Sequence, residues 1–203
     1  MERKISASFT DAFAIPLGVF DFDNLPELDF ANKLIKEYET VDHALVPGGK
    51  SSWSVDYGSI LHDTELKNLK DHVDEAVAFY AERLGLAKLI LSNSWFNIMP
   101  KGSEVVPHRH ERSAISGALY TDSGDGASSL YFTNPTTIYR MAEEITDHNT
   151  PYSSTAAAIA AKKGRCILFP SWLEHGTGTN QYEGRTVISF NYINFSNTQY
   201  KTS

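Results

Sequence analysis

Lys162-Lys163-Gly164-Arg165-Cys166-Ile167-Leu168-Phe169-Pro170-Ser171-Trp172-Leu173-Glu174-His175 decides how the second half of this 203-residue chain is read. Lys162-Lys163-Gly164 is a turn signal, Arg165 to Phe169 reads as a strand, and Pro170 ends it shortly before a histidine. Upstream stands Pro107-His108-Arg109-His110-Glu111. Side chains alternate along extended backbone, so His108 and His110 share one face while Glu111 takes the other. Two imidazoles on one face, joined by His175 from a later strand, make a facial three-ligand metal site.

Around these segments the pattern is that of strands. Leu89 to Met99 reads as one strand, or as two with a break at Ser92-Asn93-Ser94. Ser113 to Thr121, Ser128 to Phe132 and Arg185 to Ile193 are further strands, separated by Pro100-Lys101-Gly102, Asp122 to Gly126 and Glu183-Gly184. Between Asn134 and Ala161 the chain is weakly periodic: a long loop or short helix, then an alanine run, Ala156 to Ala161, read as strand.

The N-terminal part is mixed. Ile5 to Phe9 and Phe13 to Phe22 suggest short strands. A helix is expected from about Pro26 to Glu39 with Asn24 as N-cap, and Val41 to Ser52 is expected to be a loop broken by Pro47-Gly48-Gly49. The clearest helix starts at Asp63 or Thr64, runs along a stripe of Leu66, Leu69, Val73, Val77, Tyr80 and Leu84, and stops at Gly85. Amphipathic helices need a surface to bury against. The expected class is therefore mainly β (α+β), a sandwich or jelly-roll with helices on one outer face.

Composition sets limits. With 41% hydrophobic and 21% charged residues, the chain is an ordinary globular one of a length that suits a single domain. We expect one domain over 1–203, with a supporting region at 1–88 and a jelly-roll core at 89–195. A net charge of −7 without a basic run argues against nucleic acid as a partner. The single cysteine, Cys166, rules out an internal disulfide, and its apolar neighbours suggest a buried thiol in a reducing compartment. No apolar stretch approaches a membrane span, so a cytoplasmic protein without membrane association is expected. A homodimer is compatible with the sequence, which does not fix the oligomeric state.

Three histidines suit iron, and equally zinc or copper. His43, His62, His72 and His148 have no comparable company in the sequence. Cupins share the barrel and the His-x-His pattern. However, the glutamate expected soon after the pair is replaced by Ala114 and Ile115, and the gap from His110 to His175 is long. A non-enzymatic β-sandwich with incidental histidines is the third reading.

His108-Arg109-His110, Ser116-Gly117-Ala118-Leu119-Tyr120, the run from Gly164 to His175 and Arg185 to Asn191 together resemble the 2-oxoglutarate/Fe(II)-dependent dioxygenase superfamily. Within it they are similar to bacterial and phage oxygenases carrying H-x-H, S-G-x-x-Y, G-x-x-x-L-F-P-S-W-L-x-H and R-x-x-x-S-F-N. The resemblance covers about half the chain. It implies a double-stranded β-helix, Fe(II) and 2-oxoglutarate as cofactors, and hydroxylation of a substrate with release of succinate and CO2. It implies His108, His110 and His175 as metal ligands, with His110 where the family usual to this chemistry has aspartate, and Arg185 as the anchor of the distal carboxylate of 2-oxoglutarate. Tyr120, Asn97, Tyr131, Ser189 and Asn191 are further candidate contacts to the co-substrate. The primary substrate, a small molecule or peptide, is not readable; Asn134 to Thr155 and Pro47 to Tyr57 are expected to wall the entrance.

Overall fold

Two antiparallel sheets face each other in the computed structural model, which describes residues 8, 10–55, 59–140, 142–144 and 150–196. The larger sheet runs in the order β1 (Gly18–Asp21), β8 (Arg165–Pro170), β5 (Ile115–Asp122), β10 (Arg185–Asn194), β4 (Leu89–Met99), β3 (Lys50–Ser51) and β2 (Val41–Asp42). The smaller has β7 (Ala156–Ile159), β6 (Leu130–Thr133) and β9 (His175–Thr177). Helices α1 (Pro26–Ile35) and α2 (Lys67–Arg83) cover the outer face of the larger sheet. This is the jelly-roll expected, with helices on one sheet.

Period-two alternation separates two cores. Ile188, Phe190 and Tyr192 of β10, Phe96 of β4, Ile115 and Leu119 of β5, and Cys166 and Leu168 of β8 pack against Leu69, Val73, Val77 and Tyr80 of α2. The opposite parity, Ala118, Tyr120, Ile167, Phe169 and Val187, packs against Leu130 and Phe132 of the smaller sheet. Central strands are thus buried on both faces, which is why they read as nearly continuous apolar runs. Gly117 is needed where β5 passes under Phe190, since a Cβ there would lie 2.2 Å from that ring.

The strand at Leu89–Met99 is continuous, but its register against β10 shifts between Asn191 and Tyr192, which pair with Asn93 and Leu91. This bulge changes the parity of the strand: Leu89 and Leu91 pack with Phe96 and Ile98 on the helical core, while Asn93 faces the other way. The break suspected at Ser92-Asn93-Ser94 is therefore a bulge, not a strand end.

Other expectations are corrected. Helix α1 ends at Ile35, four residues short of Glu39, and continues as turn. Its N-cap is Leu25; Asn24 takes φ 58° and does not cap, because Pro26 occupies the first helical turn. The Val41–Ser52 segment is a hairpin of β2 and β3 around Pro47-Gly48-Gly49. Asp63 accepts from Glu65 N and caps a 3-10 turn, Thr64–Leu66, that leads into α2. Gly85, at φ 66°, ends that helix, with Leu86 N donating to Ala81 O. Apart from Ser8, the expected strand at Ile5 to Phe9 lies outside the described residues, as does His148. Among the described residues no helix is long and apolar enough to cross a membrane.

Candidate metal centre

His175 opens β9, deep in the smaller sheet. His108 N donates to His175 O (2.9 Å) and His175 N to His108 O (3.0 Å), so the two backbones pair as an antiparallel bridge. His110 N donates to Ser171 O (3.0 Å), holding the next part of the segment against the Pro170–Leu173 turn. The extended His-x-His stretch delivers both rings to one side, as alternation requires. One ligand nitrogen from each of His108, His110 and His175 lies within 4.8 Å of the other two.

Each ring is fixed from behind. His108 Nδ1–H donates to Val106 O (2.9 Å) and His175 Nδ1–H to Leu173 O (2.9 Å). His110 Nδ1–H donates to Asn191 Oδ1 (2.7 Å). These acceptors carry no proton, so Nδ1 must be the protonated nitrogen and each Nε2 keeps its lone pair, the tautomer that metal ligation needs. Burial pushes the His175 ring down to about 3 and His110 to about 4, against the hydrogen bonds that favour their protonated forms. Both rings are neutral donors at physiological pH. Phe169 and Phe132 stack around His175, at ring separations of 4.5 and 6.3 Å, and screen it from water.

The triad opens into a cavity of about 540 Å³. At its other side Arg185, the first residue of β10, is 2% exposed. Its guanidinium lies 4.8 Å from the Tyr120 ring centroid, Nη2 donates to Tyr120 OH (3.2 Å), and Nη1 rests on Met99 Sδ. Arg185 Nε has no hydrogen-bond partner, and no carboxylate among the described residues pairs with this cation. A buried guanidinium without a counter-ion is costly, so the chemistry that fits is an incoming carboxylate. Three imidazoles that turn Nε2 toward the cavity, and a buried cation without a carboxylate partner among the described residues, fit a divalent metal beside an anionic co-ligand.

Of the residues singled out in the sequence, Asn97, Tyr120, Arg185, Ser189 and Asn191 line this cavity with the three histidines. With its amide turned to suit its neighbours, Asn97 donates to Ser51 Oγ (2.8 Å) and accepts from Trp95 Nε1 (3.1 Å) and Ser189 Oγ (3.3 Å). Tyr131 does not line the cavity: Leu130 and Phe132 point inward from β6, and the Tyr131 hydroxyl stands against Gly176. Ser51, Trp53 and Ser54 wall the opening as expected of Pro47 to Tyr57, although residues 56–58 lie outside the described set. No described residue of Asn134 to Thr155 reaches it.

Sequence reading missed two features. His43, on the β2–β3 hairpin, lines the cavity, and burial together with the nearby His108 lowers its pKa. No local pattern marks it. The second is a polar cluster behind His110. Ser116 Oγ lies 2.9 Å from His110 Nδ1, 2.7 Å from Asn191 Oδ1 and 2.8 Å from Ser171 Oγ. Polar residues at period two in an otherwise apolar central strand were its signal.

The family model "Putative 2OG-Fe(II) oxygenase" matches residues 93–191. Among solved structures, HygX from Streptomyces hygroscopicus, crystallised with nickel and 2-oxoglutarate, is similar at TM-score 0.63 and 14% identity, over 89% of this chain and 84% of that one. A prolyl hydroxylase from Trichoplax adhaerens, in complex with a hypoxia inducible factor peptide fragment, is similar at TM-score 0.63 and 13% identity, over 92% and 87%. A Pseudomonas putida prolyl-4-hydroxylase gives 0.58 and 15%, over 89% and 93%. At these identities the structures speak for the fold alone. No curated protein sequence matches the chain. The stretch that this family model matches, residues 93–191, holds the histidine triad and Arg185.

Proposed function

We propose that this protein is a non-haem oxygenase that uses Fe(II) held by His108, His110 and His175 and 2-oxoglutarate anchored by Arg185. One observation carries the reading: the triad with its Nδ1 atoms tied down shares a cavity with a buried guanidinium whose Nε has no hydrogen-bond partner and which no carboxylate among the described residues pairs with. When bound, iron and 2-oxoglutarate supply the oxidising chemistry, consuming O2 and the keto acid to give succinate, CO2 and an oxygenated, in this reading hydroxylated, product.

The chain's own groups bind and orient. The three Nε2 lone pairs of His108, His110 and His175 would hold the metal, and the cavity beside them has room for further ligands. Arg185 offers the Nε edge of its guanidinium to a carboxylate, with Tyr120 OH beside it. Val187, Phe169 and Leu130 line that space with apolar surface, which strengthens the charge pairing inside it. Trp53, 48% exposed and packed edge-on against Trp95 at 4.5 Å, forms the rim where a small molecule or peptide substrate would enter. No side-chain acid or base is required. A three-histidine cupin reading leaves Arg185 with nothing to hold, so the co-substrate reading accounts for more of the site.

Anaerobic titration of the Fe(II) protein with 2-oxoglutarate tests this. The expected result is a weak visible charge-transfer band, and succinate formed from 2-oxoglutarate on admission of O2. A protein that binds Fe(II) yet shows neither band nor succinate would exclude the co-substrate role.

A further inference from the structure

Two of the three imidazoles lean on backbone carbonyls, Val106 O and Leu173 O, which any sequence supplies. His110 alone depends on side chains. Its Nδ1 has two oxygen neighbours, Ser116 Oγ at 2.9 Å and Asn191 Oδ1 at 2.7 Å. A hydroxyl can accept a proton or give one, so Ser116 by itself does not select a tautomer. An amide oxygen only accepts, so Asn191 does select one, provided its amide cannot turn round. Asn191 Nδ2 donates to Asn93 Oδ1 (2.9 Å), and this sets the orientation. Asn93 in turn faces the cavity because of the bulge in β4. Asn191 itself is 5% exposed.

We propose that Asn191, oriented by Asn93, is the positioning residue that fixes His110 in the tautomer presenting Nε2 to the metal. The inference rests on the metal-site reading above and gives Asn191 a task other than touching the co-substrate. It also makes the support of the triad uncharged: two carbonyls and an amide stand behind the rings, with no carboxylate to add negative charge to the ligands.

The test uses Ni(II) as the probe on metal-free protein, by titration calorimetry, alongside 15N resonances of the His110 ring before metal is added. Wild type should show one tautomer, protonated at Nδ1. Asn191→Ala should show mixed tautomers and bind Ni(II) about 10- to 100-fold more weakly. Asn191→Asp, whose carboxylate also only accepts, should keep the tautomer and bind within about threefold of wild type or tighter. Asn93→Ala, which frees the Asn191 amide, should move the tautomer ratio the same way and carries the test if Asn191→Ala does not fold. Ni(II) affinity of Asn191→Ala within about threefold of wild type, or an equal loss in Asn191→Asp, overturns the inference. Wild type that takes up no Ni(II) instead overturns the metal-site reading beneath it.

Discussion

Replacing Arg185 by methionine should separate binding from stability in opposite directions. The guanidinium is 2% exposed, its Nε lacks a partner, and Met99 and Tyr120 are its immediate neighbours. Methionine fills a similar volume without the charge. A carboxylate held by two charge-assisted hydrogen bonds gains about 1.5–3 kcal/mol from each, or roughly 3–6 kcal/mol together. At about 1.4 kcal/mol per tenfold, 2-oxoglutarate should bind the Fe(II) variant roughly 10²- to 10⁴-fold more weakly. Without ligand, the same change removes an unsatisfied buried donor, which costs the folded state about 1–3 kcal/mol. Since about 1 kcal/mol shifts Tm by roughly 2–4 °C at this chain length, the metal-free variant should melt several degrees higher than wild type. Anaerobic 2-oxoglutarate titration and calorimetric melting of the metal-free protein read the two effects. Affinity unchanged within about threefold would refute the anchoring role. A metal-free variant melting well below wild type would show that Arg185 supports the fold instead.

Further outcomes follow from the packing and the charges. Phe190→Ala should cost about 3–5 kcal/mol in denaturant unfolding, because the ring is fully buried between the larger sheet and the helices. Gly117→Ala should cost about 1–3 kcal/mol alone and clearly less in the Phe190→Ala background, since the nearest atoms to the added Cβ would be those of that ring at 2.2 Å, ahead of Leu168 at 2.8 Å. Asp21 accepts from Arg165 Nε (2.8 Å) and Nη2 (3.0 Å), and this pairing, helped by Lys162, lowers its pKa below 3.8. The folded form then binds fewer protons than the unfolded one, so the pair's contribution is present above that value and is lost as pH falls through the folded pKa. At this partly exposed site it is about 0.5–1 kcal/mol, and the stability difference between wild type and Asp21→Asn should vanish toward pH 2.

The sequence was most readable where one physical rule was enough. Alternation placed His108 and His110 on one face, and a turn followed by an apolar strand brought His175 back to them. The stripe of Leu69, Val73, Val77 and Tyr80 identified α2 and its buried side. Reading failed where parity is ambiguous or the partner is remote. In Leu130-Tyr131-Phe132 every residue suits either face, so nothing local showed that Tyr131 points away from the cavity. A bulge cannot be seen in one strand alone, and without it Asn93 and Leu91 would share a face. His43 reaches the cavity only because a short hairpin pairs with β4 across some fifty residues, a long-range register that its neighbours in sequence do not encode. The start of α1 at Pro26 was read correctly, but its cap was misassigned because Asn24, a residue that often caps, also tolerates the positive φ it adopts here.

The claim beneath all of this is that His108, His110 and His175 together hold one divalent ion. The direct measurement is metal content and Ni(II) titration of the wild type beside His175→Ala, each checked for folding by melting. The account predicts one ion per wild-type chain and loss of tight binding when the His175 ring is removed. A folded wild type that takes up no stoichiometric metal, or a His175→Ala variant that binds as tightly, would contradict it.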